Sequence, residues 1–421
     1  MVVNLSYHTK ITTMISIQKT LGTIFGKFDD LSKPAINFFI ELFEIIPCVR
    51  GRLNFTNIAR YSKYNELTFR RYFSKYFDWM KFNYWIIHSA TLSEKKVVIG
   101  AIDCSYINKS GKHTFGIDKF WSGVANQSKK GLEVSLVSVI DVESGDTWSL
   151  SIQQTSAGLS KKEGTSEDYT RVDFYMEQLA DCIVQMPEID YYTADGFYAK
   201  TKVLNEVCSK GKHLISKLRA DANLHYLLNR EKHPNAHGNK RYDGKVNWKA
   251  LNLDKWNYEG VDEKYPYLRL YSQVLYSPQF KRKIKVVFVW NAKTNGYTLL
   301  FSTDLTQDSK QIVTYYQLRF KIEFIFRDAK QFTGLTHCQA RDENKLDFHF
   351  NMSVAALNLY RYQAIKTETQ LSMNSFVRKA YNTKFVQILF DKLRYEPEFE
   401  GKFDINHRIV QEVINLGQMR A

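Results

Sequence analysis

Cysteine is scarce in this 421-residue chain. The five present, Cys48, Cys104, Cys182, Cys208 and Cys338, are scattered, odd in number and never spaced as C-x-x-C. That spacing excludes a disulfide framework and a thiolate zinc site, and it points to a reducing compartment. Long hydrophobic runs are missing too: no stretch approaches 18 uninterrupted apolar residues, which excludes a membrane-spanning helix. Residues 1–28 hold no acid and no arginine, the first being Arg50, and no unbroken apolar core precedes a small-residue cleavage site. They read as a helical lead-in rather than a targeting signal. No internal repeat or low-complexity tract is present. Acidic residues are the other deficit, with Asp+Glu 44 against Lys+Arg 59 and a net charge of +15. Hydrophobic residues at 44% and aromatics at 14% support a large packed core, so the excess of positive charge belongs to a folded protein. A polyanion is the expected partner, nucleic acid first and an acidic membrane surface second.

The chain divides into zones. Residues 1–92 carry helical spacing, as in Ile36, Phe39, Ile40 and Phe43, and hold 12 Lys+Arg against 6 Asp+Glu, or +6 of the total. Within them, Phe55 to Tyr61 and Leu67 to Phe77 read as two short helices across a tight turn. The region 54–77 therefore has a helix-turn-helix pattern, and its second helix presents Thr68, Arg70, Arg71 and Lys75. Such residues contact phosphates and base edges from a major groove. A plain helical hairpin with a basic solvent face is the alternative reading.

From residue 96 the period becomes that of strands. Residues 97–102 form a continuous apolar run, and Glu133 to Val142, Thr147 to Gln153, Tyr191 to Ala194 and His213 to Leu218 follow as strands. Helices are expected over 168–185 and Lys200 to Ser209, so 93–219 reads as a mixed α/β sheet. Residues 220–305 interrupt that rhythm with strands at Tyr267 to Tyr276, Lys283 to Trp290 and Gly296 to Ser302, and read as a β-rich insertion. Residues 306–365 and 366–421 return to helix.

One helix is expected from about 308 to 333. At roughly 100° per residue, Tyr316, Arg319, Glu323 and Lys330 fall on one stripe about 60° wide, with Leu318, Ile322, Ile325, Ala329 and Phe332 opposite. A solvated amphipathic helix would show the same pattern. Two aspartates add to it: Asp103 ends the apolar run 97–102, and Asp195 ends the strand 191–194 ahead of Gly196. Open α/β sheets bind ligands at such strand ends, although a single aspartate there often only caps a turn. Two of them beside a glutamate crowd like charges that protons or cations must neutralise, and hard oxygen donors favour magnesium or manganese.

The set Asp103, Asp195 and Glu323, with Tyr316-x2-Arg319-x3-Glu323-x6-Lys330 and Ala194-Asp195-Gly196-Phe197, resembles the DDE transposases of bacterial cut-and-paste insertion sequences. The resemblance spans roughly 95–365. It implies a ribonuclease H-like catalytic core with a β-rich insertion before its last helix, which suits the 128 residues between Asp195 and Glu323. It also implies a helical DNA-binding domain in front. The three carboxylates would hold two Mg2+ or Mn2+ ions, Asp103 bridging both. Water would free a 3′-hydroxyl at the transposon end, and that hydroxyl would attack a second strand and later the target. Arg319 and Lys330 would hold DNA phosphates, and Tyr316 the terminal phosphate. The implied partners are double-stranded DNA, as terminal inverted repeats and target, and a second copy of the chain on DNA. The implied setting is the cytoplasm, at the nucleoid. A metal-dependent endonuclease without strand transfer, or a non-catalytic DNA-binding descendant, are the competing readings.

Weaker candidates remain. His225, His233 and His237 lack a fourth ligand and read as solvated loop. Trp248, Trp256 and Trp290 could stack on an extruded base, Trp290 reading rather as core. Lys109-Ser110-Gly111-Lys112-His113 lacks phosphate-loop spacing.

Overall fold

The computed structural model describes residues 13–159, 169–229, 239–366 and 372–393. His233 and His237, the first twelve residues and the segment 394–421 lie outside the described residues.

The chain opens with five helices: α1 (Thr13–Phe25), α2 (Lys33–Ile45), α3 (Phe55–Arg60), α4 (Glu66–Tyr72) and α5 (Trp79–Ala90). Local chemistry sets their starts. Ser32 caps α2 with Pro34 in its first turn, while Asn54, Asn65 and Asp78 each accept a backbone N–H at the heads of α3, α4 and α5. The turn between α3 and α4 is held from below. Buried Glu41 of α2 accepts from the Ser62 hydroxyl at 2.8 Å and the Lys63 amide at 3.0 Å. Helix α4 stops at Tyr72, five residues before the expected Phe77, so Lys75 lies beyond it. The cause is packing: leaving the helix brings Phe77 against Phe39 at 4.3 Å and Trp79 at 4.7 Å.

The sheet follows. Strands β1 (Val98–Ile107), β2 (Asp118–Ser122), β3 (Gln127–Asp141) and β4 (Thr147–Gln154) come first. Then α6 (Arg171–Gln185), β5 (Tyr191–Ala194), α7 (Thr201–Ser209) and β6 (His213–Leu218) alternate. The β-rich segment supplies β7 (His225–Leu227), β8 (Tyr242–Lys245), β9 (Asn257–Val261), β10 (Leu268–Ser277), β11 (Arg282–Asn291) and β12 (Gly296–Ser302). Four more helices follow among the described residues: α8 (Ser309–Leu318), α9 (Lys321–Phe332), α10 (Glu343–Lys366) and α11 (Met373–Leu393).

These twelve strands form one mixed sheet in the order β2-β3-β1-β5-β6-β12-β11-β10-β7-β8, with β4 on β3 and β9 on β10. The pairs β1–β5 and β5–β6 are parallel, and β3 and β4 run antiparallel beside them. The expectation of a mixed α/β fold holds. The β-rich strands do not stand apart: β12 pairs with β6 from Leu299↔Leu218 to Ser302↔Ile215, extending the same sheet. At its centre β1 and β5 touch closely. A Cβ on Gly100 would fall 2.3 Å from the Tyr192 ring, so only glycine fits.

The two faces of β1 bury different partners. Ile102 belongs to the cluster holding α5 and α6, whereas Ile99 and Ala101 pack with Ile312, Ile322, Ile325 and Ala329 of α8 and α9. Helix α10 is buried on nearly every side. Its Asn358 accepts from the Ser149 amide at 2.9 Å and donates to Asn83 at 3.0 Å, tying α10 to β4 and α5. Buried polar groups satisfied in this way fix one arrangement of the elements.

Candidate active site

Strand register brings the two aspartates together. The β1–β5 pairing runs Gly100↔Tyr192, Ala101↔Thr193, Ile102↔Ala194, and the next step sets Asp103 abreast of Asp195. Parallel neighbours lie about 4.8 Å apart. Asp103 alternates with Ile102 and so shares the face of Ala101 and Ile99, over which α9 packs. Glu323 sits in the first turn of that helix. Asp103 does not end its strand as expected: β1 runs on to Ile107 because β3 continues to pair with it as far as Leu132. Asp195 does leave its strand. Its carboxylate accepts from the Phe197 amide at 2.9 Å, and a Cβ on Gly196 would lie 3.3 Å from the Lys217 carbonyl, a tight approach.

The expected single helix over 308–333 is two helices. Tyr316 ends up on α8, Arg319 and Phe320 form the joint, and Glu323 and Lys330 lie on α9. The joint keeps right-handed helical angles but uses tighter bonds, Phe320 N–H to Gln317 and Ile322 N–H to Arg319. Its effect is to aim Arg319 inward. The guanidinium Nη1 donates to Asp103 Oδ2 at 3.1 Å, with the two side chains 14% and 22% exposed.

The electrostatics identify what shares this space. Burial pushes the Asp103 carboxyl up to about 6, opposed by the Cys104 amide and by Arg319, and reinforced by the charges of Asp195 and Glu323. Both of the other carboxylates therefore act on Asp103. Burial also raises the Tyr316 phenol, with Arg319 opposing and both aspartates adding to the rise. Tyr316 thus faces the aspartates, and its ring lies 5.7 Å from the Arg319 guanidinium carbon.

Lys330 reaches β1 two turns beyond Glu323. Its ammonium donates to the Ser105 hydroxyl at 2.7 Å, and burial holds it below its ordinary value. Ser105 escaped the sequence reading. The signal that could have found it is period-two alternation, since it stands two residues past Asp103 on the same side. Arg70, Arg71 and Lys75 are not drawn into this site. Arg70 pairs with Glu66, its Nε 2.8 Å from Oε1, and stacks on Phe55, while Arg71 and Lys75 lie over Tyr72.

The donor chemistry suits a hard divalent cation: Asp103 is repelled by two further carboxylates and already leans on an internal cation. Among the described residues no three of His, Cys, Asp and Glu gather closely enough to hold a metal ion. In this arrangement Arg319 pairs with Asp103. The tryptophans fit structural roles. Trp256 is buried and donates to the Tyr226 hydroxyl, and Trp248 donates to the Ala222 carbonyl. Trp290 donates to Asn295. His225 stands in β7 beside Tyr242.

Residues 167–359 match the family model described as the transposase DDE domain. That stretch is similar to the transposase DDE domain, in agreement with the resemblance drawn from the chain's motifs. The matched stretch contains Asp195, Glu323 and the Tyr316–Lys330 segment, and Asp103 lies upstream of it. No curated protein matches the chain. Among the described residues no helix is long and apolar enough to cross a membrane.

Proposed function

We propose that this protein is a DNA transposase of the Tyr-Arg-Glu-Lys signature group, which binds the terminal inverted repeats of its element, cuts them and joins them to target DNA. The observation that carries the reading is the register placing Asp103 beside Asp195 on the face covered by the Glu323 helix. The antiparallel β4-β3-β1 block followed by parallel β5 and β6 supports a ribonuclease H-like core. In this reading 1–92 is the DNA-binding segment, 93–219 and 306–365 make the catalytic core, 220–305 is an insertion, and 366–421 is the C-terminal region.

Asp103, Asp195 and Glu323 would hold two Mg2+ or Mn2+ ions. Bound there, the ions supply stabilisation of charge on the attacking and leaving oxygens of phosphodiester cleavage. The chain's own groups hold the DNA. Arg319, which pairs with Asp103 here, would offer its planar fork to a DNA phosphate. Lys330 offers a point charge two turns from Glu323, roughly 10 Å along the axis. Tyr316 offers a hydroxyl to the terminal phosphate. The protein acts as a dimer on DNA in this reading, at the nucleoid.

The decisive experiment incubates protein, Mg2+, end DNA and target, and looks for joined strands. Cleavage without joining would reduce the protein to an endonuclease. Asp103→Ala, Asp195→Ala and Glu323→Ala should each abolish cleavage by at least a thousandfold while end binding persists. Near-normal cleavage by Glu323→Ala would refute the assignment.

A further inference from the structure

Two adjoining clefts outside the carboxylate site carry basic side chains that the mechanism above does not use. One, of about 660 Å3, is lined by Arg52, Lys109, His337 and Arg341 among neutral polar residues. The other, of about 370 Å3, is lined by Arg50, Arg52 and Arg60 with asparagine and threonine. Arg52 lines both, so the two clefts meet at its side chain as a basic channel, and neither lining contains an aspartate or glutamate. Among the described residues none of the five cations is ion-paired with a carboxylate. Arg70, by contrast, is already held by Glu66.

The channel is built in advance. One wall comes from the segment before and within α3, the other from the end of β1 and the turn after α9. They are pinned together where the Leu53 amide donates to His337 Nδ1 at 3.2 Å. Gly334, at φ +71°, makes the contact possible, since a Cβ there would lie 2.6 Å from Leu53 Cδ1. Like charges press on each other inside it. Lys109 is lowered by burial and by Arg341, although its ammonium also donates to the Cys338 carbonyl. His337 is lowered by burial and by Arg52. A preformed groove of unneutralised cations with neutral hydrogen-bonding walls suits a polyanion backbone.

Its position fixes which stretch of that backbone. Strand β1 carries Asp103, and Lys109 follows six residues later. The strand ends at Ile107, so at about 3.3 Å per residue the separation is at most roughly 20 Å, or about six nucleotide steps at 3.4 Å each. We infer that this channel is the track for the phosphate backbone of the end duplex as it runs away from the carboxylates. Arg52, Lys109 and Arg341 are then its central phosphate contacts, flanked by Arg50 and Arg60. The inference rests on the transposase reading and names where its DNA lies.

The test measures binding of the full chain to a 30-base-pair mixed-sequence duplex by fluorescence anisotropy, in EDTA, across a salt series. The variant combining Arg52→Gln, Lys109→Gln and Arg341→Gln should make the log–log salt slope shallower by about 2.7, and weaken binding about a hundredfold or more at 0.1 M salt. An unchanged slope overturns the channel assignment alone. Failure of the unaltered protein to bind the duplex overturns the transposase reading together with it. A 30-nucleotide single strand that loses more slope than the duplex would also overturn the duplex track. Should the triple variant melt early by circular dichroism, Arg52→Gln and Arg341→Gln are tested singly. Both side chains are exposed, and each should lower the slope by about 0.9; no change in either overturns the proposal.

Discussion

The contact between Arg319 and Asp103 makes the sharpest prediction. Asp103 is a half-buried carboxyl beside two like charges, and its partial burial already lifts it to about 6. Two groups resist that rise: the Cys104 amide, 2.8 Å from Oδ1, and the Arg319 guanidinium, 3.1 Å from Oδ2. Arg319→Ala removes the second. Two unit charges 4 Å apart interact by about 4 kcal/mol at an effective dielectric of 20, and hydrogen bonds to charged groups net about 1.5–3 kcal/mol. The lower figure is the better guide here, because the Asp103 side chain is 22% exposed and water will replace part of the lost contact. The Asp103 midpoint should therefore rise by about one to two pH units.

A midpoint near 6 leaves Asp103 roughly nine-tenths ionised at neutral pH, and a rise of about 1.5 would leave it roughly a quarter ionised. The assay is a carbon-13 carboxyl titration of metal-free protein, with the Asp103→Asn spectrum identifying the resonance. Arg319→Lys restores the charge without the fork and should recover most of the original midpoint. An unchanged midpoint in Arg319→Ala would refute the reasoning, since it would mean that Arg319 does not neutralise Asp103. So would a rise in Arg319→Lys as large as in Arg319→Ala.

Other expectations are separable from this one. Lys330→Ala should weaken productive end binding about tenfold and lower cleavage without moving the Mg2+ midpoint at saturating DNA, and Lys330→Arg should rescue much of the loss; a large Mg2+ shift with unaltered DNA affinity would mean that Lys330 serves the metals. Alanine at Arg71 or Lys75 should make the salt dependence of binding shallower by about 0.9 per lost phosphate contact in a gel-shift titration, and Arg70→Ala by less because Glu66 already holds it. An equal or larger loss at Arg70 would argue against that pairing. His349 is buried against the Gly334 carbonyl, and burial holds it near 4, below its ordinary 6.5. Between those values the native state binds fewer protons than the unfolded chain, so this histidine's contribution to stability is lost as pH falls from 6.5 to 4, by up to about 3 kcal/mol. His349→Gln should flatten the acid limb of the denaturation profile relative to the unaltered chain, and an equally steep limb would refute the effect.

How much of this was legible depends on how far apart the determining residues lie. Tyr191–Ala194, His213–Leu218 and Gly296–Ser302 end where the sequence reading ends them, because each is a short apolar or β-branched run bounded by turn formers. The joint at Arg319 and Phe320 escaped for a physical reason. Both residues keep helical angles, neither is glycine or proline, and the apolar phase from Leu318 to Ile322 runs through unchanged. Periodicity registers which side is buried and is blind to one tightened turn, yet that turn is what carries Arg319 to Asp103. The extension of β1 past Asp103 was equally hidden, since partners on β3 dictate it and Cys104, Ser105 and Tyr106 carry no apolar pattern.

Charge shows the same division more sharply. The excess of +15 is visible in composition, and it directs attention to a polyanion before any fold is known. Its location is not visible. The helix-turn-helix pattern drew the eye to Arg70, Arg71 and Lys75 because they are close in sequence on one short segment. Yet Arg70 is paired, and the cations without a carboxylate partner come from places as distant as Arg52, Lys109 and Arg341. Only the closure of the Leu53–His337 contact makes them one surface. A carboxylate triad is recognisable from spacing because chemistry constrains each member to a strand end or a helix face. A phosphate track asks only for positive charge along a path, and nothing in local sequence marks the path until the walls meet.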